Sequence, residues 1–187
     1  MPPPNDVEIM LAEQLLASVV GLDPSNPQEK ETPRRFLQAL REMTTREPFE
    51  FTTFKPDVPL DEMIVERDIS FHSLCRHHVL PFEGVAHIAY VPDERMAGIS
   101  KLARTVRYCA AALQTQEELT VEIATFLEDN LRPRGVAVVM EAEHMCMTLR
   151  GVKAPGAKTS TAAMKGVFAD HARTAKAEFL SRIDGRR

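Results

Sequence analysis

The sequence predicts an α+β fold, in which helices pack on one face of an antiparallel sheet and a helical segment precedes that core. Three observations carry the prediction. Apolar residues near the N-terminus recur at helical spacing, segments 62–74 and 84–91 alternate like the arms of a hairpin, and further helical stretches separate that hairpin from a β-rich run at 135–142. The resulting order, helix-helix, strand-strand, helix-helix, strand-strand, helix, groups strands with strands rather than alternating them with crossover helices. A chain of 187 residues that is 44% apolar and 27% charged fits a single domain able to bury a core without disulfide support. Within that domain, residues 1–56 read as the helical segment and 57–187 as the core.

In residues 6–22 the stripe is Ile9, Met10, Leu15, Leu16, Val19 and Val20, with Gly21 as a C-terminal stop. Thr32 and Pro33 offer an N-cap and a first-turn proline to a second helix over 34–43, whose stripe is Phe36, Leu37, Leu40 and Met43. Pro48, Pro56 and Pro59 make 45–59 a connection. The hairpin turn holds Cys75, Arg76, His77, His78 and Pro81. Ser100 is placed to cap a helix reaching Leu113, with Leu102, Val106, Cys109, Ala110 and Leu113 as its apolar face, which makes Cys109 a packing residue. Another helix covers 116–131. The β-rich run at 135–142 continues its alternation through His144, Cys146 and Thr148, and a last helix spans 169–183.

The formal net charge of -4 argues against a general nucleic-acid binder, so an anionic ligand would need a local basic cluster. The N-terminal Met1-Pro2-Pro3-Pro4 lacks the basic-then-apolar order of a signal peptide, and no apolar run approaches membrane-spanning length, so the expected location is the cytoplasm, with no membrane partner. Three cysteines cannot form a disulfide framework, which leaves metal binding or burial for them.

Cys75 and His78 stand two residues apart, a spacing at which one turn can direct a thiolate and an imidazole to one ion. Cys146 is a third candidate ligand, and in an extended segment it would share a face with His144. Two cysteines and a histidine make a ligand set found in catalytic zinc sites, which leave a position for water. His77 or His144 could instead complete a closed structural site. An open site would supply hydroxide near neutral pH, with flanking histidines to carry protons. Lys101 and Arg104 lie one turn apart where a helix begins, a position in which cations oppose the helix dipole unless an anion offsets them. Arg150 adds a cation just beyond Cys146, and Gln116-Glu117 opens the next helix, where a carboxylate can either serve the dipole or accept paired hydrogen bonds from guanine. His72, His87 and His171 have no visible partner and are assigned no role.

Taken together, Ser73-Leu74-Cys75-Arg76-His77-His78, Gly98-Ile99-Ser100-Lys101-Leu102-Ala103-Arg104, Gln114-Thr115-Gln116-Glu117-Glu118-Leu119-Thr120 and Glu143-His144-Met145-Cys146-Met147-Thr148-Leu149-Arg150-Gly151 resemble the GTP cyclohydrolase I family, from about Thr32 to Phe168. The resemblance implies a tunnelling fold and a toroidal homodecamer of two pentamers with active sites between subunits. It also implies Zn2+ held by Cys75, His78 and Cys146, with GTP as the substrate. By the same resemblance, water on the ion attacks C8 of GTP, His144 protonates the purine nitrogen and His77 serves later proton transfers. Formate leaves, the ribose rearranges, and the ring closes to 7,8-dihydroneopterin triphosphate. Gln116 and Glu117 match the guanine-binding pair, while Ser100, Lys101, Arg104, Arg150 and Arg35 match groups around the ribose and triphosphate.

Some positions depart from the family pattern. Arg76 stands where the family usually has Glu, Glu118 and Ala111-Ala112 stand where arginine is frequent, Gln38 replaces a lysine of some members, and Ala157 and Ala162 replace common serines. Two rival readings differ in class. One is a zinc-stabilised nucleotide-binding paralogue without turnover; the other is a zinc nucleobase deaminase, whose His-x-Glu and Pro-Cys-x-x-Cys motifs this sequence lacks.

Overall fold

The computed structural model describes residues 2–58, 60–170 and 174–184, so Pro59, His171 and part of the expected 169–183 helix lie outside the described residues. The chain forms two compact units, Met1–Thr45 and Arg46–Arg187.

The first unit is a pair of helices, α1 (Asp6–Val20) and α2 (Thr32–Thr44). A reciprocal capping box starts α1: Asn5 Oδ1 accepts from the Glu8 backbone N–H at 3.0 Å, and Asn5 N–H donates to the Glu8 carboxylate at 2.7 Å. Gly21, left-handed at φ 75°, ends it as expected. Thr32 does not cap α2. It is the first helical residue, Glu31 occupies the cap position without a side-chain bond, and Pro33 sits in the first turn, where its missing N–H costs nothing. Arg41 ties the two helices together by bonding the Glu8 carboxylate at 2.6 Å. The apolar residues predicted along α1 are not core within this chain: Met10, Leu15, Val19 and Val20 are exposed.

In the second unit β1 (Thr53–Phe54), β2 (Ile64–Cys75), β3 (Leu80–Val91) and β4 (Met96–Ala97) precede α3 (Ile99–Ala110), β5 (Leu113–Gln114) and α4 (Gln116–Leu131). Then come β6 (Gly135–His144), the single turn α5 (Met145–Thr148), β7 (Lys158–Gly166) and α6 (Ala175–Asp184). The main sheet has the order β5-β2-β3-β6-β7, antiparallel except for the short β5-β2 pairing, and β1 pairs with β4 separately. Strand β7 has no counterpart among the strands located from sequence.

The sheet is buried on both sides, by different elements. Ile88, Tyr90, Val136, Val138 and Met140 face the side covered by α3 and α4, where they meet Leu102, Val106, Leu119, Ile123 and Leu127. The alternate residues Ala89, Val91, Ala137 and Val139 pack with Phe168 and with Phe179 and Ile183 of α6. The predicted packing of helices on one face therefore holds for α3 and α4, whereas α6 lies on the other. Truncating a fully buried residue such as Leu127 to alanine would cost about 2–5 kcal/mol. Strands β3 and β6 approach so closely at Gly84 that a Cβ there would fall 1.9 Å from the Glu141 carbonyl oxygen, which excludes any side chain.

Residues 46–54, expected as a bare connection, are anchored by an aromatic group in which Phe49 packs with Phe51, Tyr108 and Phe126. Arg46 lies over the Tyr108 ring and pairs with Glu122 at 2.6 Å. Strand β2 carries a bulge between Glu66 and Ile69, with Asp68 at φ 59°. The Asp68 N–H there donates to Nδ1 of His87, which is 2% exposed; His87 is thus a satisfied strand residue, as expected. Among the described residues no helix is long and apolar enough to cross a membrane.

Candidate metal centre and its surroundings

Cys75 is the last residue of β2 and pairs with Leu80, the first of β3, so residues 76–79 close a four-residue loop. The Cys75 carbonyl accepts from the N–H groups of His78 at 3.3 Å and Val79 at 2.8 Å, and Val79 takes a left-handed φ of 54°. A β-branched residue rarely adopts that conformation, so the hairpin imposes it. Folded this way, the loop brings Nδ1 of His78 to 3.8 Å and Nδ1 of His77 to 3.9 Å from the Cys75 sulfur.

The remaining member of the cluster, Cys146, lies just beyond β6, which is two strands away from β2 in the sheet. His144 is paired with Phe82 of β3, and their rings stack at 4.7 Å between centroids with a 4° interplanar angle. The strand expected through Thr148 stops there. The chain turns into α5, closed by Leu149 N–H donating to the Met145 carbonyl, so His144 and Cys146 do not share a strand face. The turn instead brings Cys146 to the β2–β3 loop: the ligand atoms of Cys75, His78 and Cys146 lie within 4.8 Å of one another, a group that could hold a metal ion.

The donor set suits such an ion. Burial, and then the adjacent Cys75 thiol, push the Cys146 thiol up from its ordinary value, while Arg150 works in the opposite direction. Two sulfurs this close cannot both ionise cheaply unless a cation lies between them. Cys109 stands apart in the core, where burial pushes its thiol up to about 12, as befits a packing residue.

Beside the cluster, His144 Nε2 lies 2.8 Å from Oε1 of Gln116, the first residue of α4. Gln116 is only 1% exposed, and its amide nitrogen donates to the carbonyls of Met140 and Thr159 and to Thr161 Oγ1. Burial lowers the His144 pKa from its ordinary value, and the negative charge of Glu117 partly offsets this. Glu117 is exposed next to His144, whereas the neighbouring Gln116 carboxamide turns into the fold.

Two departures from the family pattern meet in space. Arg76, in the β2–β3 loop, bonds Glu118 on α4 at 2.6 Å, so the two charges, each opposite in sign to the residue expected from the family pattern, pair with one another in this chain. Glu118 also accepts from the Thr115 N–H at 2.9 Å in the capping box of α4. Reversing Arg76→Glu alone should lower thermal stability and activity modestly, and adding Glu118→Arg should recover only part of that loss, because it restores the ion pair but removes the Glu118 carboxylate from the α4 capping box. Non-additivity measured in a double-mutant cycle checks this.

The basic groups are more dispersed. Ser100, Lys101 and Arg104 lie on the first turns of α3, but the helix starts at Ile99 with Gly98 as N-cap, so Ser100 does not cap it. Among the described residues none of their side chains bonds to the Cys-His-Cys group. Arg150 is exposed next to Cys146, and Arg35 is exposed on α2 in the first unit. His72 is an exposed residue of β2.

The family model described as GTP cyclohydrolase I matches residues 10–184. The chain is 46% identical over 178 residues to GTP cyclohydrolase 1 of Aquifex aeolicus, spanning 95% of this chain and 96% of that one. It is 45% identical to the Dehalococcoides mccartyi protein of the same name over 96% of this chain and 97% of that one, and 43% identical to that of a Geobacillus species over 99% and 100%. Among solved structures it is similar to an archaeosine synthase QueF-Like in the apo form, with a TM-score of 0.47 and 15% identity over 56% of this chain and 93% of that chain, a likeness too slight to argue from. With its sulfur and imidazole groups gathered as the motifs require, this chain belongs to the GTP cyclohydrolase I family.

Proposed function

We propose that this protein is a zinc-dependent GTP cyclohydrolase I, which opens the imidazole ring of GTP at C8, releases formate and yields 7,8-dihydroneopterin triphosphate. The convergence of Cys75, His78 and Cys146 within 4.8 Å, with His144 beside them, carries this reading. The family and its relatives supply the substrate.

Cys75, His78 and Cys146 would hold Zn2+, which supplies Lewis acidity that activates water near neutral pH. The remaining work falls to the chain's own residues. Glu117, exposed at the start of α4, accepts from N1–H and the 2-amino group of guanine, a pair of donors adenine lacks. His144, held flat against Phe82, gives its proton to the purine nitrogen next to C8 as water adds there. His77, on the exposed loop, serves the later proton transfers of formamide hydrolysis, ribose rearrangement and ring closure. Lys101, Arg104, Arg150 and Arg35 neutralise the triphosphate, and Ser100 adds a hydroxyl near the ribose.

The finer structural expectations belong to the same proposal. They are a tunnelling fold, a single functional domain in which residues 1–56 serve the 57–187 core, a homodecamer with active sites between subunits, and a cytoplasmic location. The antiparallel sheet, buried on both faces, supports the first of these. The apolar side chains left exposed on α1 suit a contact between subunits.

Zinc-loaded protein incubated with GTP should release one formate for each GTP consumed and, after oxidation, give a fluorescent pterin. GTP bound without formate, in protein shown to contain zinc, would favour the non-catalytic nucleotide-binding alternative.

A further inference from the structure

We infer that Gln116 is a positioning residue for His144, setting its tautomer so that Nδ1 is the nitrogen that exchanges protons with the substrate. This rests on His144 having the proton-transfer role proposed above.

The groups around the Gln116 carboxamide fix its orientation. The Met140 and Thr159 carbonyls, 3.3 and 3.0 Å from one of its terminal atoms, can only accept hydrogen bonds. That atom must be the NH2 group, whichever way the amide would otherwise be drawn. The hydroxyls nearby agree with this assignment. Thr120 donates to the Gln116 backbone carbonyl at 2.7 Å, which leaves Thr161 to donate across the 2.6 Å contact to Thr120 and to accept from Gln116 at 3.1 Å. The atom facing His144 is then Oε1, an acceptor without a hydrogen. At 2.8 Å from it, His144 Nε2 must carry a proton and donate it.

Neutral His144 is thereby held as the Nε2–H tautomer, with its lone pair on Nδ1. When the ring is charged, the Nε2 proton is committed to a buried amide, and the Nδ1 proton is the one available to a ligand. Phe82 covers one face of the ring at 4.7 Å, which removes the remaining freedom of orientation. The arrangement links helix α4 to strands β6 and β7 through a single side chain, so the placement of the acid depends on the sheet behind it. A carboxamide so committed has no donor left for a guanine base, and base reading falls to Glu117.

Two measurements test this. In the zinc-loaded enzyme labelled with 15N-histidine, nitrogen spectra of the neutral His144 ring, assigned by comparison with His144→Ala, should show the protonated nitrogen at Nε2. Protonation at Nδ1 would overturn the inference without any variant having to fold. In Gln116→Ala and Gln116→Met, kcat should fall about 10- to 100-fold, as is usual when the partner orienting a functional histidine is removed, while KM for GTP changes less than about threefold. The His144 spectrum should then become a mixture of tautomers. A large rise in KM at unchanged kcat would make Gln116 a base-binding residue and overturn the proposal. If wild-type protein releases no formate, the functional reading fails, and the nitrogen spectrum still decides the tautomer separately.

Discussion

Replacing Cys146 with alanine should abolish zinc binding and formate release together, with activity falling by more than the roughly 100-fold that losing an outer-sphere partner costs. The reason is geometric. Cys75 ends β2 and His78 lies in the loop that follows it, whereas Cys146 closes the set from the far side of β3. The fold itself should survive. Cys146 is a small member of the main core cluster, at its edge with 9% of its surface exposed, and most of the sheet and its two covering layers is built from larger residues such as Tyr90, Phe82, Leu127 and Phe179. Zinc content of the purified variant, read beside its circular dichroism, checks both halves. A folded variant that keeps one zinc per chain would remove Cys146 from the ligand set.

His144→Ala should separate metal binding from turnover. His144 lies outside the three-atom cluster and is held by Phe82 and Gln116, so zinc content should match that of the wild type. Formate release should drop by about 10²–10⁴-fold, the usual contribution of a positioned general acid or base. Burial lowers the pKa of this ring, which makes its charged form a readier donor once a proton has been taken up. Loss of zinc in this variant would instead make His144 a ligand, and undiminished formate release would remove its proton-transfer role.

Sequence made the local features legible where pattern and chemistry coincide. Helix α4 runs over the predicted 116–131 because Thr115 and Glu118 form a capping box and the apolar stripe of Leu119, Ile123 and Leu127 is strong. The three metal-binding candidates were legible because each motif is short and chemically distinctive, and the structure gathers them. Where patterns are ambiguous, sequence misled. The stretch from His144 to Thr148 alternates like a strand, and a single turn of helix is too short to leave a helical period. Strand β7, Lys158–Gly166, lies at the sheet edge and is made largely of small and polar residues, so it carries no apolar alternation.

Other features depend on long-range pairing that no local pattern reports. The burial of Gln116 follows from β6 and β7 carbonyls more than 20 residues away in the chain, although a glutamine one step inside a helix start looks like a surface residue. The Arg76–Glu118 pair joins positions 42 residues apart, and two separate anomalies of sequence become one ion pair only in the folded chain. The placement of α6 on the second face likewise emerges from Phe179 and Ile183 meeting the alternate residues of β3 and β6.

Hydrolysis at this centre requires a metal held by two sulfurs and a single imidazole, with room left for water. An X-ray absorption spectrum at the zinc edge of the loaded, substrate-free protein tests this most directly. The prediction is two sulfur neighbours and the multiple-scattering signature of one histidine ring, unchanged in His77→Ala. A spectrum showing two rings, one of which disappears when His77 is replaced, would mean a closed structural site and would contradict hydrolysis at this centre.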